Sequence, residues 1–237
     1  LAGCVGALVM VRGSLTGGVL AGLAVGVMVG VINGMVISLL NVSPFIATLG
    51  TMVLVRGAVL LITGGVPIVD LPDTFTQIGT ESLAGVPIPV LIAALLFFVF
   101  WIMLRFTPLG LKMYAVGGNR EASKLSGVSV NRVTIAAYGV CGALAGAAGL
   151  VLAARLRSGQ PTAGELYELT SIAAVVLGGA SLTGGEGRLQ RTVLGVLIIQ
   201  VLSNGLNLIN VHSYWQRVLI GGIIIVAASV DRFRRRD

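Results

Sequence analysis

The chain contains apolar runs that are long enough to cross a lipid bilayer as helices. The run PVLIAALLFFVFWIML, residues 89–104, carries no charge, so every side of such a helix is apolar. A hydrocarbon core about 30 Å thick is crossed by about 20 residues at a helical rise of about 1.5 Å each. Charged residues make up 11% of the sequence, whereas soluble domains carry about a quarter. The sequence therefore predicts an integral membrane protein.

Helices rather than strands are predicted for these runs. Backbone groups in lipid must be hydrogen-bonded internally, which leaves helix bundles and closed barrels. Barrel strands alternate polar and apolar residues, whereas these runs are apolar on all sides. We therefore predict an all-α, polytopic transmembrane helix bundle that forms a single domain over residues 1–237. Its eight predicted apolar segments are 1–11, 18–40, 44–62, 88–104, 133–154, 170–183, 192–210 and 216–230.

Two of these segments are too short to span a bilayer. The first begins at Leu1, in the middle of a predicted helix, and we therefore expect that earlier spans of a longer protein precede it. The segment 170–183 runs into the glycine-rich stretch GGASLTGGEG. This favours a half helix that packs against protein rather than a lipid-facing span.

Basic residues orient the predicted bundle, because cytoplasmic loops retain Lys and Arg. The stretch 105–132 has five basic residues and one acidic residue, and the C-terminal tail DRFRRRD has four Arg. We expect both on the cytoplasmic side, and the loop 63–87, with three acidic residues and no basic one, on the outer side. This topology leaves four basic residues on the outer side, against the rule: Arg12, Arg155, Arg157 and Arg217.

The net charge of +7 follows from this topology and does not indicate a nucleic-acid partner. Anionic lipid headgroups of the bilayer are a sufficient partner for the Arg-rich tail.

Glycines recur four residues apart in the second segment, at Gly18, Gly22, Gly26, Gly30 and Gly34. This spacing places them on one helix face, where another backbone can approach closely. A second cluster, GVCGALAGAAG, covers residues 139–149. Tight packing inside the bundle is the favoured interpretation, with a subunit interface or a sliding surface as the alternatives.

Residues for catalysis are scarce. His212 has no carboxylate or cysteine near it in the sequence, and we expect it to be exposed in a loop. Cys4 and Cys141 lie in apolar helices, where we expect them to pack as small residues. Neither a metal-binding motif nor a phosphate-binding glycine–lysine loop occurs in the sequence. We therefore expect no enzyme activity, no ATPase of its own and no bound cofactor.

Polar residues inside the spans are the candidates for a translocation pathway, since a polar group in lipid is costly. Arg56 could pair with a carboxylate from an upstream part of the protein, or it could extend to the interface. The other candidates could bind a hydroxyl-rich solute such as a sugar, or join helices by hydrogen bonds. They are Asn33, Gln200, Ser203, Asn204 and Asn207. The predicted spans contain no acidic residue, which disfavours a carrier driven by protons or sodium.

A polar stretch separates the fourth and fifth segments: YAVGGNREASKLSGVSVNR, residues 114–132. Within it, Glu121, Ala122 and Ser123 are followed after three residues by Gly127. This order resembles the coupling loop of bacterial ABC importer permeases, a short helix that docks on a cytoplasmic ATPase subunit. The resemblance implies a coupling loop at about 105–132. In it, Gly118 and Asn119 would start the short helix, Asn119 would cap it, and Gly127 would turn the chain.

Longer stretches extend the resemblance over the whole chain. TPLGLKMYAVGGNREASKLSGVSVNR, ARLRSGQPTAGELYELTSIAAVVLGGASLTGGEGR and SNGLNLINVHSYWQRVLIGGIIIVAASVD resemble the permeases of ribose-type monosaccharide importers, in the larger family that includes branched-chain amino acid permeases. This implies about ten spans, of which this chain would lack the first two or so. Two departures from the related patterns occur. Ser123 stands where Ala is usual, and the Ile-x-Leu-Pro ending of the maltose-type motif is absent.

The resemblance implies an importer in the bacterial cytoplasmic membrane that works by alternating access. Two permease chains, which we expect to be identical, would form the pathway. A periplasmic or lipid-anchored solute-binding protein would deliver the sugar, and two ATP-binding subunits would hydrolyse ATP on the cytoplasmic side. An amino acid, a nucleoside or a furanose-like signal molecule is the alternative solute. A secondary carrier or channel, and a membrane enzyme or structural subunit, are the alternative classes of protein.

Overall fold

The computed structural model describes residues 1–182, 184–212, 215, 218, 219 and 221–223, and it confirms the all-α fold. Five of its helices are long and apolar enough to cross a membrane, and two shorter helices are also apolar. These seven helices correspond to the first seven predicted segments. The eighth, 216–230, lies largely outside the described residues, and Arg217 and the tail DRFRRRD lie entirely outside them.

The helices and strands are numbered here in chain order. The helices are α1 (Ala2–Val11), α2 (Leu15–Leu39), α3 (Pro44–Thr63), α4 (Asp73–Thr80), α5 (Ile88–Phe106), α6 (Pro108–Gly118), α7 (Arg120–Leu125), α8 (Val130–Leu156), α9 (Tyr167–Leu177) and α10 (Leu189–Leu208). The strands β1 (Ser82–Leu83) and β2 (Val86–Pro87) form an antiparallel hairpin. The sequence did not predict α4 or the hairpin.

The chain divides into two compact units. The first, called the N unit here, contains Leu1–Met103 with Gly127–Ala163. The second, called the C unit, contains Leu104–Ser126 with Gly164–Asp237, in so far as the structure describes the latter range. The single domain expected over the whole chain stays a prediction.

In the N unit, α2 packs lengthwise against α8 and at its start against α1. All five regularly spaced glycines of α2 are buried. A Cβ added to Gly26 would lie 2.5 Å from the carbonyl oxygen of Gly142, and one added to Gly34 would lie 2.7 Å from Cα of Ile135. One added to Gly18 would meet α1 at the carbonyl oxygen of Gly6. The glycines therefore let α2 contact both neighbours backbone to backbone.

The core of the N unit lies where α1, α4 and α8 meet. The side chain of Phe75 in α4 is 3% exposed, and it packs in a cluster with residues of α1 and α8. Beside this cluster, a Cβ at Gly79 would clash with the backbone of Ala154 and Arg155 in α8. The loop that carries α4 is also hydrogen-bonded to the segment after α8, since the backbones of Ile68 and Gly159 exchange hydrogen bonds of 3.0 and 2.8 Å. The loop 63–87 is therefore folded against the bundle.

In the C unit, α9 packs against α10 around the small buried residues Ala173 and Ala174 and the side chain of Ile199. A Cβ at Gly195 of α10 would clash with the carbonyl oxygen of Ala174. With 11 residues, α9 extends only about 16 Å and cannot cross a bilayer. The predicted half helix is thus present, and it begins at Tyr167 rather than at residue 170.

Candidate functional site

The polar stretch begins with a sharp change from α5 to α6. Thr107 between them is extended, with φ −108° and ψ 151°, and its hydroxyl oxygen accepts a hydrogen bond of 3.3 Å from Gly110 N. Pro108 follows at the first helical position, where its missing N–H costs nothing. These two residues end the apolar span and start a separate helix that carries the polar segment.

Asn119 separates α6 from α7 and belongs to the ends of both. Its backbone N–H donates to the carbonyl of Ala115 at 3.0 Å, which closes α6. Its side-chain Oδ1 accepts from Ala122 N at 2.9 Å, which caps α7. The residue itself is extended, with φ −151° and ψ 105°. A single residue therefore joins two helices, and both joined ends are hydrogen-bonded.

The short helix α7 presents Glu121, Ala122 and Leu125 outward, and Leu125 is 90% exposed. Ser123 faces the opposite way and is only 6% exposed. Glu121 lies in the first turn and Lys124 in the last, an arrangement that the helix dipole favours. The side of α7 opposite Ser123 thus combines a carboxylate with apolar surface.

The chain leaves α7 through a closed turn. Ser126 donates two hydrogen bonds to the carbonyl of Ala122, from its backbone N–H at 3.0 Å and from its hydroxyl at 2.9 Å. Gly127 follows with φ +80°, in the left-handed region that favours glycine, and no atom lies within 4 Å of where a Cβ would be. The turn at Gly127 thus requires glycine for its backbone conformation and not for space.

The C-terminal half of α6 also contacts a loop that is distant from it in the sequence. This glycine loop, residues 178–182 and 184–188, joins α9 to α10. The hydroxyl of Tyr114 donates to the carbonyl of Gly187 at 3.0 Å. A Cβ at Gly117 would lie 2.6 Å from Gly185 N, and one at Gly185 would lie 2.5 Å from Cα of Gly118. In the sequence, only the glycine pairs 117–118 and 184–185 indicate this contact.

The candidate pathway residues lie in two groups, one in each unit. In the N unit, Asn33 lies on α2, and among the described residues its buried Oδ1 has no hydrogen-bond partner. Arg56 lies half-buried on α3. The second group lies on α10 at positions i, i+3, i+4 and i+7, which share one helix face. Its members are Gln200, Ser203, Asn204 and Asn207, of which Ser203 is half-buried and the others are exposed.

The remaining reactive side chains are one histidine and two cysteines. His212 is exposed, as expected, and Cys4 is buried. Cys141 is exposed on α8 in this chain, so its expected packing stays a prediction. Across the described residues, no three His, Cys, Asp or Glu side chains come together in a way that could hold a metal.

Comparisons with known proteins agree with the membrane bundle. The family described as branched-chain amino acid transport system / permease component matches residues 1–228. The ribose import permease protein RbsC of Bacillus subtilis is 47% identical over 194 residues, which cover 81% of this chain and 60% of that protein. The same protein of Escherichia coli is 47% identical over 195 residues, covering 81% of this chain and 61% of the relative.

A relative named for another sugar is less similar. The galactose/methyl galactoside import permease protein MglC of Haemophilus influenzae is 39% identical over 210 residues, covering 84% of this chain and 62% of the relative. The chain thus spans about 60% of the length of the curated relatives it matches. No solved structure matches it. The apolar helices and the matched family together show that this chain is part of a multi-pass membrane protein and belongs to the family of branched-chain amino acid transport system permease components.

Proposed function

We propose that this chain is the greater part of a transmembrane permease subunit of an ATP-binding-cassette importer for a ribose-like monosaccharide. The observation that carries the proposal is the 47% identity to ribose import permeases over 81% of the chain. The protein lies in the bacterial cytoplasmic membrane with its C-terminus inside. A second permease chain completes the pathway, and a periplasmic or lipid-anchored solute-binding protein delivers the sugar.

Coupling to ATP hydrolysis takes place on α7. The helix is held at both ends, by the Asn119 cap and by the Ser126 hydrogen bonds, so it can dock as a rigid element. Its exposed Glu121, Ala122 and Leu125 fit a partner groove that has an apolar floor and a basic side chain. The ATP-binding subunits provide that groove and hydrolyse ATP, and the permease chain holds no nucleotide.

The sugar passes along the polar face of α10. Amide groups such as those of Gln200 and Asn204 both donate and accept hydrogen bonds, which suits the hydroxyl groups of a neutral sugar. This face is exposed, whereas the face with Gly195 and Ile199 is buried against α9. On the outer side, α4 and the β1–β2 hairpin form an ordered surface with acidic residues for the solute-binding protein.

A branched-chain amino acid is the second candidate solute, because the matching family is described by that substrate. The two candidates are separated by purifying the membrane complex with its ATP-binding subunits and measuring ATP hydrolysis. A ribose-like sugar, presented by the solute-binding protein, should stimulate hydrolysis, whereas leucine or valine should not. Stimulation by an amino acid alone would replace the sugar assignment, and uptake by the permease without ATP-binding subunits would refute the importer itself.

One variant in α7 and one in the turn that follows it test the coupling assignment. Glu121→Lys and Gly127→Asp should each abolish transport and weaken binding of the ATP-binding subunit, while the permease stays in the membrane. The first variant reverses the exposed charge, and the second strains the left-handed turn. Glu168→Lys, the same reversal on an exposed carboxylate of α9, is the control and should keep subunit binding. Unchanged uptake in both Glu121→Lys and Gly127→Asp would contradict the assignment.

A further inference from the structure

The glycine loop is a compact unit rather than an open connection. Ser181 N donates to the carbonyl of Glu186 at 3.0 Å, and Gly184 N donates to the carbonyl of Ser181 at 3.3 Å. A Cβ at Gly187 would lie 3.0 Å from Cβ of Ala180, so the two sides of the loop also touch. Such a loop moves as one body because its internal hydrogen bonds must break before its ends separate.

The loop is also fixed to the helices that it joins. A Cβ at Gly178 would lie 2.7 Å from the carbonyl oxygen of Arg191 and 2.8 Å from Cα of Thr192, at the start of α10. One turn further along α10, Gly195 meets the carbonyl of Ala174 in α9. The start of α10, the end of α9 and the loop between them are therefore packed backbone to backbone.

The contact between α6 and the loop resists displacement in two directions. The backbones of Gly117 and Gly185 already touch, so α6 cannot move toward the loop without moving it. The hydrogen bond from Tyr114 to Gly187, 73 residues apart in sequence, resists separation of the two. Steric contact alone would transmit only a push, whereas the two together transmit a push and a pull.

We propose that this contact carries the displacement of α7 into α9 and α10, with Gly117, Gly185 and Tyr114 as the positioning residues. The path runs from α7 through Asn119 into α6, then across the contact into the glycine loop and along both helices that the loop joins. The inference rests on the proposed function, because it takes the ATP-binding subunit as the source of the displacement. It assigns a coupling role to residues outside the docking helix.

Matched variants separate this contact from general strain. Gly185→Ala adds a methyl group 2.5 Å from Cα of Gly118 at a backbone φ of +79°. Gly179→Ala adds the same group in the same loop at φ +78°, with no atom within 4 Å. Both place alanine at nearly the same positive φ, and only the first disturbs the contact. Gly117→Ala adds the methyl group from the α6 side, and Tyr114→Phe removes only the hydrogen bond.

The measurement uses the full-length permease in proteoliposomes with its ATP-binding subunits and its sugar-loaded binding protein. The ratio of sugar imported to ATP hydrolysed should fall about tenfold in Gly117→Ala and Gly185→Ala, a change that overpacking by one methyl group can produce. It should fall about threefold in Tyr114→Phe, where one hydrogen bond is lost. Gly179→Ala should keep the wild-type ratio, and all variants should bind the ATP-binding subunit within about twofold of wild type, since α7 is unaltered.

A reporter on α10 follows the displacement directly. In a background with Cys4→Ala and Cys141→Ala, the labelling rate of Asn204→Cys by a water-soluble maleimide should change when a non-hydrolysable ATP analogue is added. That change should disappear in Gly117→Ala and persist in Gly179→Ala. A purely structural defect would lower the amount of labelled protein and would not remove the nucleotide response selectively.

The outcomes distinguish the inference from the function on which it rests. If the ATP-binding subunit does not bind the wild-type permease, the proposed function fails. If the wild type imports sugar with ATP but Gly117→Ala and Tyr114→Phe keep its ratio and its nucleotide response, only the inference is overturned. If Gly117→Ala does not accumulate in the membrane, Tyr114→Phe decides: a lower ratio supports the contact, and an unchanged ratio refutes it.

Discussion

Glycine contacts stabilise each of the two units internally, but in two different patterns. Along α2, five glycines four residues apart place one helix against its neighbours over most of its length. In the C unit, the contact of α6 with the glycine loop is confined to two adjoining pairs of residues and one hydrogen bond. The extended contact fixes two spans relative to each other. The confined contact joins two elements at one place, so a single methyl group can disrupt it while the helices on either side persist.

The largest effect is expected in the extended contact. Gly30→Val would place a branched side chain against the carbonyl of Tyr138, where only backbone atoms are available to move. We expect it to lower the free energy of unfolding by about 3 kcal/mol, the upper part of the range for overpacking. Reversible unfolding in mixed detergent–SDS micelles measures the change. A decrease in the free energy of unfolding smaller than that caused by Gly195→Ala would show that the α2–α8 contact is looser than its glycines indicate.

A smaller and more local effect is expected where α9 meets α10. Gly195→Ala should cost about 2 kcal/mol, because its methyl group clashes with the carbonyl of Ala174. Amide exchange should accelerate in α9 and α10 and stay unchanged in α2. Equal acceleration in α2 would contradict the division into two units that are stabilised separately.

Loss of the cap on α7 should be smaller still. Asn119→Ala removes the acceptor for Ala122 N and should destabilise the short helix by about 1 kcal/mol. Asn119→Asp retains an acceptor and should restore wild-type behaviour. Exchange of the Ala122 amide, measured by mass spectrometry, reports the difference. If both variants exchange alike, hydrogen bonding by the side chain is not what holds α7.

The smallest effect, of opposite sign, is expected on α3. Gly57→Ala adds a methyl group with no atom within 4 Å and restricts the unfolded chain. We expect the free energy of unfolding to rise by about 0.5 kcal/mol in the same SDS titration. A loss comparable to that of Gly195→Ala would mean that the exposed face of α3 is covered tightly in the assembled protein.

The sequence predicts the spans because the bilayer imposes length and composition on them. Three further features can be predicted equally well, since each depends on residues within a few positions of one another. They are the cap at Asn119, the turn at Gly127 and the regular glycine spacing of α2. The fold and the outline of the candidate site can therefore largely be predicted from residues that are close together in the sequence. The docking of α7 on a partner and the lining of a pathway by α10 stay predictions.

The β1–β2 hairpin is local, but two other features that the sequence did not predict, α4 and the contact of α6 with the glycine loop, depend on contacts between distant segments. Helix α4 has only eight residues, and it is stabilised by burying Phe75 against helices α1 and α8. The bond between Tyr114 and Gly187 joins residues 73 positions apart. The glycine pair 184–185 has no periodic pattern around it, so no nearby residue in the sequence predicts that the pair contacts α6.

The one-residue junction at Asn119 makes the length of this stretch more critical than its composition. Inserting one residue before Asn119 would lengthen α6 by one residue and turn the direction in which α7 leaves it by about 100° around the α6 axis. Ser123 would then leave its buried position, and the outward carboxylate of Glu121 would point elsewhere. We therefore expect insertions and deletions in related chains to be confined to the loops beyond this junction.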